Sequence, residues 1–285
     1  MNTHVIKFNR VRACGVVKRC FKRVGCVPAI GLGTWGVGGG FWSVDTSRDE
    51  AWVEAIRYAV GRGLKLIDTA EMYGGGHAEE LVGKAIKGFP REELFIVTKV
   101  WPNHARYEDV MRSAEGSASR LGTYIDLYLL HWPSDAVPIC ETIRAFEALV
   151  DRGLIRFFGV SNFSLQQLQE AETCAKKYEV AAVQNHYSLY NRRDEADVIP
   201  YALVNGIMYM AYTPLEKGAV ARDRRLAEIG KKYGATPVQV ALAWYVKRGV
   251  VSIPKAEKKE HIDEIAGALG LNLGEEDFAE IARWR

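Results

Sequence analysis

Four side chains in the first half of this sequence, Asp68, Tyr73, Lys99 and His131, are of the types needed to move a proton and steady a developing oxyanion. Asp68-Thr69-Ala70-Glu71-Met72-Tyr73-Gly74 places an acid and a tyrosine five residues apart, the tyrosine in a glycine-rich turn. Reducing a carbonyl with hydride requires a general acid against the oxygen while the carbon takes H⁻. A free tyrosine, with a pKa of about 10, is a sluggish donor at neutral pH. A buried ammonium nearby favours the tyrosinate and lowers that pKa, and a carboxylate keeps the ammonium charged and placed. A neutral imidazole can hydrogen-bond the oxygen and orient it. Each residue alone has a plainer reading: Asp68 as a helix cap, Lys99 as its structural ion partner, His131 as a core histidine, Tyr73 as a turn residue. The chemistry requires all four to meet.

What could bring them together is a recurring pattern of apolar runs that end on polar or aromatic residues. Lys65-Leu66-Ile67 runs into Asp68, Leu94 to Thr98 into Lys99, and Ile125 to Leu130 into His131. Phe157 to Val160 reaches Ser161-Asn162, Ala181 to Val183 reaches Gln184, Ile207 to Ala211 reaches Tyr212, and Val250 to Pro254 reaches Lys255. In a (β/α)8 barrel the C-terminal ends of the strands converge on one mouth, where catalysis takes place. Helical patterns alternate with these runs, opening after Ser47 and continuing over about 79–87, 107–121, 140–152, 164–178, 195–205, 236–248 and 259–269, with a last helix over 274–284. Eight such alternations, the first strand at about 29–33, predict a parallel sheet closed on itself, the (β/α)8 TIM barrel. Val16–Phe21 and Val24–Val27, separated by Lys22-Arg23, predict an N-terminal β-hairpin capping the barrel bottom. The division is therefore 1–23 as a basic extension and start of the hairpin, and 24–285 as one barrel domain.

A doubly wound Rossmann sheet is the rival fold. Gly31-Leu32-Gly33-Thr34-Trp35-Gly36 has the letters of its phosphate turn, but continues into Val37-Gly38-Gly39-Gly40-Phe41-Trp42, which starts no helix. The 48% hydrophobic content of the 285 residues is enough for a sizeable core. A net charge of +3, spread along the chain, points to neither nucleic acid nor membrane. No apolar run nears the roughly 20 residues of a membrane span. Residues 1–23 carry seven basic and no acidic residues without an apolar targeting core, so a cytoplasmic location is expected. Cys14, Cys20, Cys26, Cys140 and Cys174 include no CxxC pair and no zinc pattern, and no metal site is expected. A Cys20–Cys26 bridge across the hairpin is one option, and reduced thiols the expectation for a cytoplasmic enzyme.

The motifs resemble those of the aldo-keto reductase family, in its prokaryotic-type form with a short C-terminus, over 24–285. They are Gly31-Leu32-Gly33-Thr34-Trp35, Asp68-Thr69-Ala70 with Tyr73-Gly74, Val97-Thr98-Lys99, Asp126 to Pro133, Gly159-Val160-Ser161-Asn162-Phe163, Gln184 with Tyr187-Ser188, Tyr212-Thr213-Pro214-Leu215 and Ile253-Pro254-Lys255. The resemblance implies a barrel binding an extended nicotinamide cofactor at its mouth without a Rossmann domain, and NAD(P)H-dependent, reversible reduction of aldehydes and ketones to alcohols. It implies Tyr73 as general acid/base, Lys99 and Asp68 tuning it, and His131 positioning the carbonyl. Thr34 and Trp35 approach the nicotinamide, Ser161, Asn162 and Gln184 hold its carboxamide, and Tyr212 stacks on its ring. Leu215 and Lys217 lie along the pyrophosphate, and Lys255 meets the adenosine ribose phosphate, favouring NADP(H), with NAD(H) as the other cofactor the site could take. His261 stands where the family has an arginine, and Glu264-Ile265 where it has Glu-Asn. Arginine clamps phosphate with two bonds, whereas histidine binds it more weakly and depends on pH.

Trp35, Trp42, Trp101 and Trp132 lie near strand ends and predict an aromatic-walled substrate pocket. Short loops after His131 and Tyr212 and a short C-terminus predict an open mouth for a small aldehyde or ketone. A monomer or small homo-oligomer is expected. Two alternatives remain at this stage: a slow or non-catalytic cofactor-sensing barrel resembling channel β-subunits, and a barrel using Lys99 as a Schiff-base lysine.

Overall fold

A computed structural model of the chain describes residues 10–13 and 16–284. The expectations for Lys7 and Cys14 lie outside the described residues. Three strands come first, β1 (Arg10–Ala13), β2 (Val16–Phe21) and β3 (Gly25–Pro28), in an antiparallel sheet of order β1-β2-β3. The predicted hairpin is β2–β3, and the basic segment before it adds a third strand.

Eight parallel strands follow: β4 (Leu32–Gly33), β5 (Leu66–Asp68), β6 (Phe95–Val100), β7 (Ile125–Leu130), β8 (Ile155–Ser161), β9 (Ala182–His186), β10 (Met208–Tyr212) and β11 (Val251–Ile253). They pair in chain order. Closure comes from the segment leading into β4: Ile30 bridges Ser252 in parallel, and the Gly31 and Gly33 amides donate to Ser252 and Pro254 carbonyls at 2.8 and 2.9 Å. Every residue of β6 and β7 is buried, as expected of strands covered on one face by helices and on the other by the barrel interior.

The helices are α1 (Asp49–Gly61), α2 (His77–Ile86), α3 (Tyr107–Leu121), α4 (Ile139–Asp151), α5 (Leu165–Cys174), α6 (Val198–Val204), α7 (Arg224–Lys231), α8 (Pro237–Arg248), α9 (Lys259–Gly267) and α10 (Glu275–Ala282). Local sequence fixes several ends. Ser164 with Gln167, and Thr236 with Gln239, form reciprocal capping boxes at the starts of α5 and α8. Gly249, at φ +85°, closes α8 in the left-handed conformation glycine adopts without cost. Helix α7, absent from the sequence reading, is capped by Asp223 and buries only Leu226, Ile229 and Gly230.

The N-terminal sheet plugs the end of the barrel opposite the site. Phe21, Val24 and Val27 join one apolar cluster with Leu66, Phe95, Leu127, Met208 and Val251 from the barrel strands. Arg23 fastens this plug by donating to Glu172, to the Val180 carbonyl and to the Asn205 carbonyl at 2.6, 2.9 and 3.1 Å. The expectation of reduced thiols is corrected. Cys20 and Cys26 face each other in the β2–β3 register and are bridged, and Cys140 of α4 is bridged to Cys174 of α5. The second pair is 34 residues apart, and only the packing of α4 on α5 makes them neighbours.

Candidate active site

Strands β5, β6 and β7 end together and deliver Asp68, Lys99 and His131 to one mouth. Lys99 has no solvent exposure, a burial tolerated only when the ammonium is paired. Its Nζ donates to Asp68 Oδ1 at 2.7 Å, to the Thr69 carbonyl at 2.8 Å and to the Tyr73 hydroxyl at 3.4 Å. The other Asp68 oxygen accepts from Gln184 Nε2 at 2.7 Å. Tyr73 reaches this cluster from a turn only glycine permits. Gly74 has φ +57°, and a Cβ there would lie 2.3 Å from the Gly38 carbonyl oxygen. Phe41 bridges Tyr73 in antiparallel fashion, so the 38–45 loop folds back over the turn that carries Tyr73.

The electrostatics differ in one respect from the sequence expectation. Burial raises the Tyr73 hydroxyl above the usual phenol range; the nearby Lys99 ammonium pulls it down but does not prevail. The phenol is therefore protonated at neutral pH. Burial alone would depress Lys99, but the charges of Asp68 and Tyr73 and the bonds to both leave it above the ordinary lysine range. Burial, then the charge of Lys99, hold His131 well below the usual histidine range, so its ring is neutral at pH 7. Its Nδ1 is buried with no hydrogen-bond partner among the described residues.

A cleft of about 780 Å³ runs from these residues across the mouth. Asp68, Tyr73 and His131 line it, with Trp35 and Trp132, then Ser161, Asn162, Gln184 and Tyr212, then Leu215 and Lys217, and at the far end Lys255, His261 and Glu264. Lys99 sits beneath it, behind Tyr73. Thr34 is fully buried, its hydroxyl donating to the Asp68 carbonyl at 2.9 Å, so it supports the wall without forming part of it. Asn162 donates to the His131 carbonyl at 2.8 Å and accepts from the Tyr212 hydroxyl at 2.6 Å. Trp42 and Trp101 stand outside the cleft as an outer wall: Trp101 meets His131 edge-on at 5.3 Å, and Trp42 meets Trp101 at 6.4 Å.

Three further residues matter that the sequence reading passed over. Phe41, 63% exposed, packs on Trp35 at 4.8 Å and extends the aromatic rim. Glu71, buried beside the tetrad, accepts from the Trp101 amide at 2.8 Å and bonds His104 Nδ1 at 2.9 Å, fixing the loop that carries Trp101. Glu216 bonds His186 Nε2 at 2.9 Å and accepts from the Ser188 hydroxyl, anchoring the loop after β10. An aromatic beside Trp42 and an acid beside Asp68 were visible as residue types; their partners were not. All five non-glycine residues with positive φ among those described, Trp42, Asn162, Thr213, Glu216 and Lys217, lie around this mouth. Such strain concentrates at functional sites.

Residues 29–285 match the Aldo/keto reductase family. The chain belongs to that family. Among its relatives, the methylglyoxal reductase YeaE of Escherichia coli K12 is 38% identical over 260 residues, covering 89% of each chain. The glyoxal reductase of Bacillus subtilis 168 is 36% identical, over 90% of this chain and 88% of its own. The solved structure of the thermostable aldo-keto reductase Tm1743, in complex with the inhibitor epalrestat, superposes with a TM-score of 0.88 at 45% identity, over 93% of this chain and 98% of that one. An aldo/keto reductase from Klebsiella pneumoniae, in complex with NADP and acetate, gives 0.82 at 39% identity, over 91% and 92%. This aldo/keto reductase has the (β/α)8 barrel those neighbours share. Among its described residues no helix is long and apolar enough to cross a membrane, and no cluster of His, Cys, Asp and Glu could hold a metal.

Proposed function

We propose that this aldo/keto reductase uses NADPH to reduce small aldehydes, dicarbonyls such as methylglyoxal among them, with Tyr73 as the proton donor. The observation that carries this reading is the Tyr73 hydroxyl opening on the cleft while the buried Lys99–Asp68 pair stands behind it. The donor set fits an extended dinucleotide. Hydroxyl and amide side chains (Ser161, Asn162, Gln184) lie at one end, a phenol ring (Tyr212) on the wall, and ammonium groups (Lys217, Lys255) along the rest. When bound, the nicotinamide supplies hydride to the carbonyl carbon.

The remaining work falls to the chain. His131, neutral, donates a hydrogen bond to the carbonyl oxygen and aims it at Tyr73. As negative charge grows on that oxygen, the Tyr73 proton moves to it. The tyrosinate left behind faces the Lys99 ammonium, which Asp68 keeps charged and fixed. Trp35, Phe41 and Trp132, at 42%, 63% and 44% exposure, leave the mouth open and apolar, suited to small carbonyls of varied shape.

Lys99 is bonded to Asp68, the Thr69 carbonyl and Tyr73, and its pKa is raised, which argues against a Schiff-base nucleophile needing a free amine. The test is steady-state turnover on a panel of small aldehydes followed by NADPH absorbance. Sustained turnover is expected; cofactor binding with only single slow turnovers would favour a cofactor-sensing barrel.

A further inference from the structure

At its far end, the cleft is walled by Lys255, Glu257, His261 and Glu264. Two carboxylates there face one ammonium, a poor setting for a phosphate dianion. The compensating charge comes from another element. Arg48, the residue preceding α1, grips both carboxylate oxygens of Glu257 across 209 residues of sequence, one of the two bonds measuring 3.2 Å. The same guanidinium lies 5.4 Å from the centre of the buried Trp52 ring, and Lys255 Nζ lies 4.9 Å from that centre. Arg48 and Lys255 therefore share one indole as their platform, close enough that Arg48 adds to the burial that depresses the Lys255 pKa. Two neighbouring ion pairs join α1 and α9 without involving Arg48 or Lys255, Lys259 with Glu54 at 2.7 Å and Arg62 with Asp263 at 2.6 Å.

We propose that Arg48 sets the cofactor preference: by pairing with Glu257 it cancels the carboxylate beside Lys255, so this end of the cleft accepts the ribose phosphate of NADPH in preference to NADH. This inference rests on the cofactor reading above. Arg48 acts on the phosphate through Glu257 and is a positioning residue.

The experiment is direct titration of the full chain with NADPH and with NADH, read by tryptophan fluorescence or calorimetry, independent of turnover. Removing one compensating charge a few ångströms from a dianion weakens binding by about tenfold. Arg48→Ala is therefore expected to raise the Kd for NADPH by about that factor while leaving NADH unchanged, and Arg48→Lys to keep the wild-type ratio. Arg48→Ala combined with Glu257→Gln should recover most of the lost NADPH affinity, because the uncompensated carboxylate is gone. Equal loss for both cofactors, no loss for either, or no recovery in the double variant would overturn the role of Arg48. Wild-type protein that binds neither cofactor would instead overturn the cofactor reading itself.

Discussion

Gln184 Nε2 donates to Asp68 Oδ2 at 2.7 Å, joining the end of β9 to the end of β5 across the barrel mouth. With Lys99 on Oδ1, both oxygens of the buried carboxylate are held, one by a charge and one by an amide. The residue expected to hold the nicotinamide carboxamide thus also locks the acid that keeps Lys99 charged. The proposed cofactor site and the proposed proton donor share one hydrogen-bond chain: Gln184, Asp68, Lys99, Tyr73.

That chain predicts the behaviour of Asp68→Asn. Removing the carboxylate takes away a charge that holds Lys99 above its ordinary range and leaves desolvation to pull the ammonium down. The expected kcat loss is on the order of 100-fold, with aldehyde KM little changed, since the interaction matters as charge develops. Steady-state kinetics at saturating NADPH provide the check; a KM effect alone would show that Asp68 only shapes the pocket.

His131 gives a stability signature. Its folded pKa lies well below 6.5, so between that value and 6.5 the unfolded chain binds a proton that the folded chain does not. Stability should therefore fall as the pH drops below 6.5, by up to about 1.4 kcal/mol per pH unit from this one group, until the folded-state pKa is reached. Urea unfolding of wild type and His131→Gln at pH 7.5 and 5.5 isolates the effect. The variant should lack that share of the loss; identical pH dependence would mean that His131 is not held neutral.

The raised pKa of Tyr73 bears on the rate. Because burial keeps the phenol protonated past its usual range, reduction should show no falling limb between neutral pH and pH 9. A kcat/KM profile measured in the reduction direction tests this; a limb centred near pH 8 would mean that Lys99 wins over burial after all.

The Glu71 carboxylate holds the Trp101 amide and His104. Glu71→Ala should release the outer wall, raising KM for bulky aromatic aldehydes more than for methylglyoxal and leaving NADPH binding intact. Comparing the two substrates separates a lost wall from general unfolding, which would depress both equally.

The Cys140–Cys174 bridge closes a loop of 34 residues between α4 and α5. In the chain-entropy account such a bridge contributes about 3–4 kcal/mol. Cys140→Ser with Cys174→Ser should lower the denaturation midpoint without altering kcat, as measured by thermal unfolding alongside turnover.

The tetrad was legible because each of its strand-borne members ends an apolar run and Tyr73 follows Asp68 in a glycine-rich turn. Strand ends map directly onto a barrel mouth. The rest depended on distance. Gln184 and Asp68 are 116 residues apart, and Arg48 and Glu257 are 209 apart. Pairings like these leave no local trace, and the same holds for Cys140 with Cys174. Helix α7 was passed over because Arg224, Arg225 and Lys231 mask a face of only two large apolar residues. The direction of the Tyr73 shift turned on how completely the barrel buries the phenol, a quantity that residue types do not reveal.

Whether Tyr73 supplies the proton is read from the turnover of Tyr73→Phe with NADPH and methylglyoxal, taken beside fluorescence titration with NADPH. Unchanged NADPH affinity and a kcat lowered by about 10³-fold are expected, within the range general acids contribute. Turnover close to wild type, with the cofactor bound, would contradict Tyr73 as the proton donor.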